Sequence, residues 1–80
     1  MNDIEKFLKI LSKKERHYLK NVLFPKIRIL DLKELDVKKV KGYSLWRVRC
    51  GKIRVLFAKT ETFGIIMRMG FRKDVYKKLR

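Results

Sequence analysis

The stretch that decides the fold is Leu45-Trp46-Arg47-Val48-Arg49-Cys50, Gly51-Lys52-Ile53-Arg54-Val55-Leu56-Phe57-Ala58-Lys59, a turn at Thr60-Glu61-Thr62, and Gly64-Ile65-Ile66-Met67-Arg68-Met69-Gly70. Each run alternates in character, is rich in β-branched or aromatic residues and ends at turn-forming residues, the pattern of three antiparallel strands joined by tight turns. A period of two sorts the side chains. Trp46, Val48, Cys50, Ile53, Val55, Phe57, Ile65, Met67 and Met69 are expected on one face, and Arg47, Arg49, Arg54 and Arg68 on the other. Four guanidinium groups on one side of a small sheet repel one another, so this arrangement calls for an anionic partner.

Eighty residues allow one domain, spanning 1–80, with about 60% of the unfolded chain's surface buried at this size. The 46% hydrophobic content is enough for a core despite 39% charged residues, which excludes a disordered basic tail. The chain carries 23 Lys and Arg against 8 Asp and Glu, a net charge of +15, and so points to a polyanion: RNA, DNA or an acidic protein, with anionic membrane a weaker alternative. Residues 1–35 hold nine basic and five acidic residues (+4) and residues 36–80 hold fourteen and three (+11), so the excess lies on the strands and the tail. One cysteine forms no internal disulfide, and Cys50, on the apolar parity, reads as a small hydrophobe. With a single His at an unrelated position it makes no metal-ligand set. No apolar run approaches ~18 residues and no signal-peptide pattern opens the chain, so a cytoplasmic protein with no membrane partner is expected.

Ahead of the strands, Ile4, Phe7, Leu8 and Leu11 keep the i, i+3, i+4, i+7 spacing of a helix, with Asn2 or Asp3 as its cap. Ser12-Lys13-Lys14-Glu15 has the capping-box pattern of a second helix. Its apolar positions Leu19, Val22, Leu23, Ile27 and Leu30 continue past Pro25, which is expected to kink it. Residues 31–42 show no firm period and read as a loop with one anchored stretch. After the strands, Asp74 can cap one or two helical turns. The fold class that follows is α+β: an N-terminal helical hairpin on a three-stranded antiparallel sheet, with a short C-terminal helical segment. The second sheet face is expected to stay open, with Leu56 and Ile66 between the arginines.

The order of elements, the strand pair Leu45-Trp46-Arg47-Val48-Arg49 and Gly51-Lys52-Ile53-Arg54-Val55-Leu56-Phe57, and the ending Met69-Gly70-Phe71-Arg72-Lys73-Asp74-Val75-Tyr76 resemble the RelE/ParE toxin superfamily, in its RelE-like branch, over nearly the whole chain. The resemblance implies the toxin of a type II toxin–antitoxin system: a ribosome-dependent mRNA endonuclease, or mRNA interferase, that blocks translation without a metal or other cofactor. It implies as partners the ribosome, its mRNA and a cognate RelB-like antitoxin whose acidic and apolar residues cover the open face. The catalytic pattern of that branch falls on Arg47, Arg49, Arg54, Arg72 and Tyr76. RelE has lysines where this chain has Arg47 and Arg49, and an arginine, always charged, does not shuttle protons. The family usually opens with a strand before the first helix, whereas this chain starts in the helix; one strand fewer and an exposed sheet edge are expected.

Metal-free RNA cleavage needs a base for the 2′-OH, cations around the phosphate and an acid for the leaving 5′-oxygen. The arginines supply cations. Tyr76 is the residue of the set able to take a proton, because neighbouring guanidiniums favour its anion. Lys52, Lys73 and Lys77 are unranked candidates for the acid and, with Arg68, for RNA contacts. Against these stand structural readings: a solvated strand face for the arginines, packing for Tyr76, surface for His17, core for Trp46, and either core or base stacking for Phe71. A gyrase-inhibiting ParE-like toxin and an inactive nucleic-acid-binding member are the alternative functions.

Overall fold

In the computed structural model, which describes residues 3–71 and residue 75, three short helices precede a four-stranded antiparallel sheet. Helix α1 (Asp3–Ile10) turns Leu8 into the core, with Leu11 just beyond its end and Ile4 and Phe7 packed against the cluster. The expected caps, Asn2 and the side chain of Asp3, lie outside the described residues. Ser12 caps α2 (Lys13–Tyr18): its Oγ accepts from the Glu15 amide at 3.1 Å while Glu15 Oε1 accepts from the Ser12 amide at 3.1 Å, the reciprocal box read from the sequence. Arg16 then reaches back, donating to the carbonyls of Leu8 at 2.9 Å and Leu11 at 3.1 Å, which satisfies acceptors left at the end of α1.

The chain passes from α2 through a π-helical turn (Leu19–Leu23) into α3 (Phe24–Arg28) without leaving helical dihedrals. Here the expected kink takes a definite form. Pro25 has no N–H and its ring crowds the carbonyl four residues earlier, and the wide turn, closed by Phe24 N–H donating to the Leu19 carbonyl, absorbs that conflict. The extra residue also keeps Leu19, Leu23, Phe24 and Ile27 together in the core. Helix α3 ends in a Schellman motif: Asp31 N–H donates to the Lys26 carbonyl at 2.8 Å and Leu30 N–H to the Ile27 carbonyl at 3.0 Å. Leu30 takes the left-handed position, φ 58°, usually given to glycine.

The sheet runs β1 (Asp36–Lys39), β2 (Trp46–Cys50), β3 (Ile53–Lys59), β4 (Gly64–Phe71) in that spatial order. Strand β1 corrects the expectation of three strands and of a loop over 31–42. With Val37 its one apolar residue, it carries almost no alternation, and it is held by backbone pairing to β2 and by Val37 facing Val48. The β2–β3 turn has Gly51 at φ 58°, a conformation that favours glycine. In the β3–β4 turn Thr60 Oγ1 accepts from the Phe63 amide at 3.0 Å.

A register shift between Leu56 and Phe57 corrects the expected faces of β4. Val55 pairs with Met69 and Leu56 with Arg68, but Phe57 pairs with Ile66, so Met67 is the extra residue of a bulge. Beyond it the parity reverses: Ile66 packs against the core, while Ile65 shares the face of Ala58. Gly64 is buried where α3 meets β4, and a β-carbon there would collide with the Ile27 carbonyl oxygen. Leu8, Leu19, Leu23, Phe24, Ile27, Val48, Ile53, Val55, Phe57 and Met69 form one core between helices and sheet.

Candidate nucleic-acid interface

Strand register builds the second face as two cross-strand rows. One runs Lys38, Arg47, Leu56, Arg68 and the next runs Asp36, Arg49, Arg54, Gly70. Arg47, Arg49, Arg54 and Arg68 therefore share a face, as the alternation predicts. Arg49 and Arg54 are directly opposed, flanking the Gly51–Lys52 turn, and like charges so placed destabilise a sheet. Lys52 is exposed in that turn.

The arginines differ in their surroundings. Arg54 is 7% exposed and its Nη1 donates to the Gly51 carbonyl at 2.7 Å and the Ile53 carbonyl at 3.2 Å. The hairpin turn thus holds its guanidinium in place. Arg47 reaches Asp36 Oδ1 at 3.8 Å, its side chain 14% exposed. Arg49, opposite Asp36 in the ladder, makes no hydrogen bond or ion pair among the described residues and is exposed. Asp36 is a contributor the sequence reading missed, because β1 itself was not legible there.

The face is not open in the way expected. Leu56 is fully buried, and Val75 is 2% exposed, its Cα and Cβ each 3.5 Å from where a β-carbon on Gly70 would sit. Val75 therefore packs on the arginine side of the sheet at Gly70, and Leu56 offers no apolar surface to a partner. Ile66 lies on the opposite, core side. Arg72, Lys73, Tyr76 and Lys77 fall outside the described residues.

Other residues occupy structural places. Trp46 packs against the core with Lys59 Nζ 3.7 Å from its ring centroid. Phe71 meets Phe7 edge-on at 4.7 Å on the helix side, so it packs there. His17 is exposed on α2 beside Asn21. Burial of Cys50, with Glu15 adding a second contribution, raises its thiol pKa above the ordinary value. Among the described residues no helix is long and apolar enough to cross a membrane.

No protein-family model and no curated protein matches the chain. Among solved structures it is similar to a chain of the RelB-RelE antitoxin-toxin complex from Methanococcus jannaschii, with a TM-score of 0.68 and 25% identity over 95% of this chain and 92% of that one.

Proposed function

We propose that this chain is the toxin of a toxin–antitoxin pair and acts as a ribosome-dependent mRNA endonuclease. The observation that carries the reading is the gathering of Arg47, Arg49, Arg54 and Arg68 on one sheet face, in a chain of net charge +15 whose fold is that of a chain in a toxin–antitoxin complex. In this reading the 2′-oxygen attacks the adjacent phosphorus as its proton leaves. Charge builds on the phosphoryl oxygens, and the 5′-oxygen departs with a proton from an acid. Arg54, already fixed by two carbonyls, is a cation that needs no reorganisation as that charge builds. Arg49 is free to meet the strand. Tyr76 and Arg72, flanking the Val75 anchor in sequence, supply the base and a further cation, and Lys52, Lys73 and Lys77 are the candidates for the acid.

The RelB-like antitoxin, in the same reading, binds as an acidic segment that neutralises this face. Its aliphatic residues are not expected at Leu56, which is fully buried, or at Ile66, which is partly buried against the core on the other side of the sheet. Incubation with programmed ribosomes and with free mRNA, followed by mapping of new 5′ ends, tests the proposal. Cuts on ribosome-bound message alone are expected. Inhibition of DNA gyrase without cuts would replace the reading by a ParE-like one, and inactivity in both assays by a binding-only role.

A further inference from the structure

The two edges of the sheet are built differently. Strand β1 has four residues, and its exposed Asp36, Lys38 and Lys39 give it the charged character that keeps an edge from pairing with another chain. Strand β4 has eight residues and, among the described residues, pairs with β3 alone, so no strand meets its outer N–H and C=O groups. The side chains at this edge are apolar and stand in solvent: Ile65 is 42% exposed and Met67 54%, with Phe63 47% exposed just ahead of the strand. Proteins ordinarily cover or charge such an edge. Beside it lies a groove of about 720 Å³ where α1, the π-helical turn, α3 and the start of β4 meet, with Ile4, Phe24, Phe63 and Ile65 in its lining. Its cations outnumber its acid. Lys20 and Arg28 line it and are exposed, Arg28 with its guanidinium carbon 6.0 Å from the Phe24 ring centroid, against Glu5 alone.

We infer that the start of β4 and this groove dock an extended segment of a partner protein that carries aliphatic and acidic side chains and joins the sheet as a fifth strand. Its backbone pairs with β4 ahead of the Met67 bulge, its aliphatic side chains cover Phe63 and Ile65 and enter the groove, and its acids meet Lys20 and Arg28. In the proposed toxin–antitoxin pair, the reading on which this rests, that partner is the antitoxin, and this segment is separate from the one on the arginine face. The unpaired row of backbone groups asks for a strand, the exposed apolar side chains for aliphatics, and the two cations for acids. A second copy of this chain fits worse, because it would bring a further charge of +15 to the same edge.

Amide hydrogen exchange read by NMR, with the synthetic peptide Ile-Ile-Glu-Glu-Ile-Ile-Glu-Glu as the probe, tests this apart from cleavage. The peptide matches the eight residues of β4 and puts both residue types on both of its faces. The outward amides of β4 should exchange freely in the protein alone and slow when the peptide is added. Ile65→Lys, a change at one exposed side chain that leaves the fold intact, should weaken this effect about tenfold, the scale of part of one Ile side chain leaving water. Arg49→Ala, on the arginine face, should leave the effect on β4 as it is in the parent. Of two peptides N-methylated at alternate positions, one should lose the effect, because only one set of its N–H groups faces β4. Several results would overturn the inference: outward amides already slow in the free protein, which would mean that the chain itself or a second copy covers the edge; no slowing by the peptide; an equal response from Ile65→Lys; a loss in Arg49→Ala as large as that in Ile65→Lys; or full activity of both methylated peptides. Cuts on ribosomes without any slowing at β4 would remove this inference and leave the nuclease reading. Slowing at β4 by a protein that cuts nothing would keep the docking edge and remove the nuclease reading instead.

Discussion

Replacing Arg54 and Arg49 separately by alanine divides a cation that the fold uses from one that it does not. The two stand opposite each other on neighbouring strands and carry the same charge. In Arg54→Ala the two bonds from Nη1 to the Gly51 and Ile53 carbonyls disappear, and a side chain 7% exposed leaves a gap beside Leu56. A hydrogen bond to a charged group contributes about 1.5–3 kcal/mol. Water can replace the donor at the exposed Gly51 turn, and loss of the Arg49–Arg54 repulsion returns up to ~1 kcal/mol. The net cost is then about 1–2 kcal/mol, a fall of roughly 5–15 °C in melting temperature for a domain of this size. Arg49→Ala loses no partner and gains the same relief, so its stability should stay within about 0.5 kcal/mol of the parent, on either side. Urea unfolding followed by circular dichroism reads both numbers, with equal m-values showing that the unfolded states are comparable. Salt offers a second reading: the parent should gain stability as NaCl screens the opposed pair, and either alanine variant should gain less. Equal stability losses in the two variants would refute the assignment of Arg54 to the hairpin. A loss larger in Arg49→Ala would do so more strongly.

Other outcomes follow from single contacts. Gly64→Ala should cost about 1–3 kcal/mol, because its β-carbon meets backbone atoms of Ile27, with the Ile27 carbonyl carbon 3.1 Å away, and backbone has little room to yield; denaturation within 0.5 kcal/mol of the parent would contradict the close approach of α3 to β4. Cys50, whose pKa is raised chiefly by burial and then by Glu15, holds less thiolate at neutral pH than a free cysteine and should react more slowly with an aromatic disulfide reagent at pH 7; a faster reaction would show an activated thiol instead. Tyr76→Phe, if the phenol is the base, should lose most of the single-turnover cleavage rate while keeping ribosome and antitoxin binding; a fully active phenylalanine variant would move proton transfer to Lys52, Lys73 or Lys77.

Much of this geometry is written in local pattern, and its failures have physical causes. Alternation in residues 46–57 placed Arg47, Arg49 and Arg54 opposite Val48, Val55 and Phe57, because side chains on paired strands must alternate. The Ser12 and Glu15 box was legible for the same reason, a reciprocal contact three residues apart. Strand β1 was not, since Asp36-Val37-Lys38-Lys39 joins the sheet through backbone groups that no side chain announces. The bulge at Met67 was equally silent: Ile65, Ile66 and Met67 are all apolar, so nothing in their order says where parity reverses. Burial of Leu56 and Arg54 was not legible either, since strand parity places both on the second face and says nothing of what packs on it; that Val75 closes on that face at Gly70 is a property of the folded chain.

The central claim is that the arginine face performs the cleavage, and the most direct measurement is the single-turnover rate of Arg49→Ala on programmed ribosomes. Arg49 is exposed and makes no bond that the fold requires, so any change reports on substrate and not on folding. The rate should fall by about a hundredfold or more, the scale on which one donor to a developing anion acts, while the variant still binds ribosomes and melts with the parent. Cleavage at the parental rate by a folded, ribosome-bound Arg49→Ala protein would contradict the account.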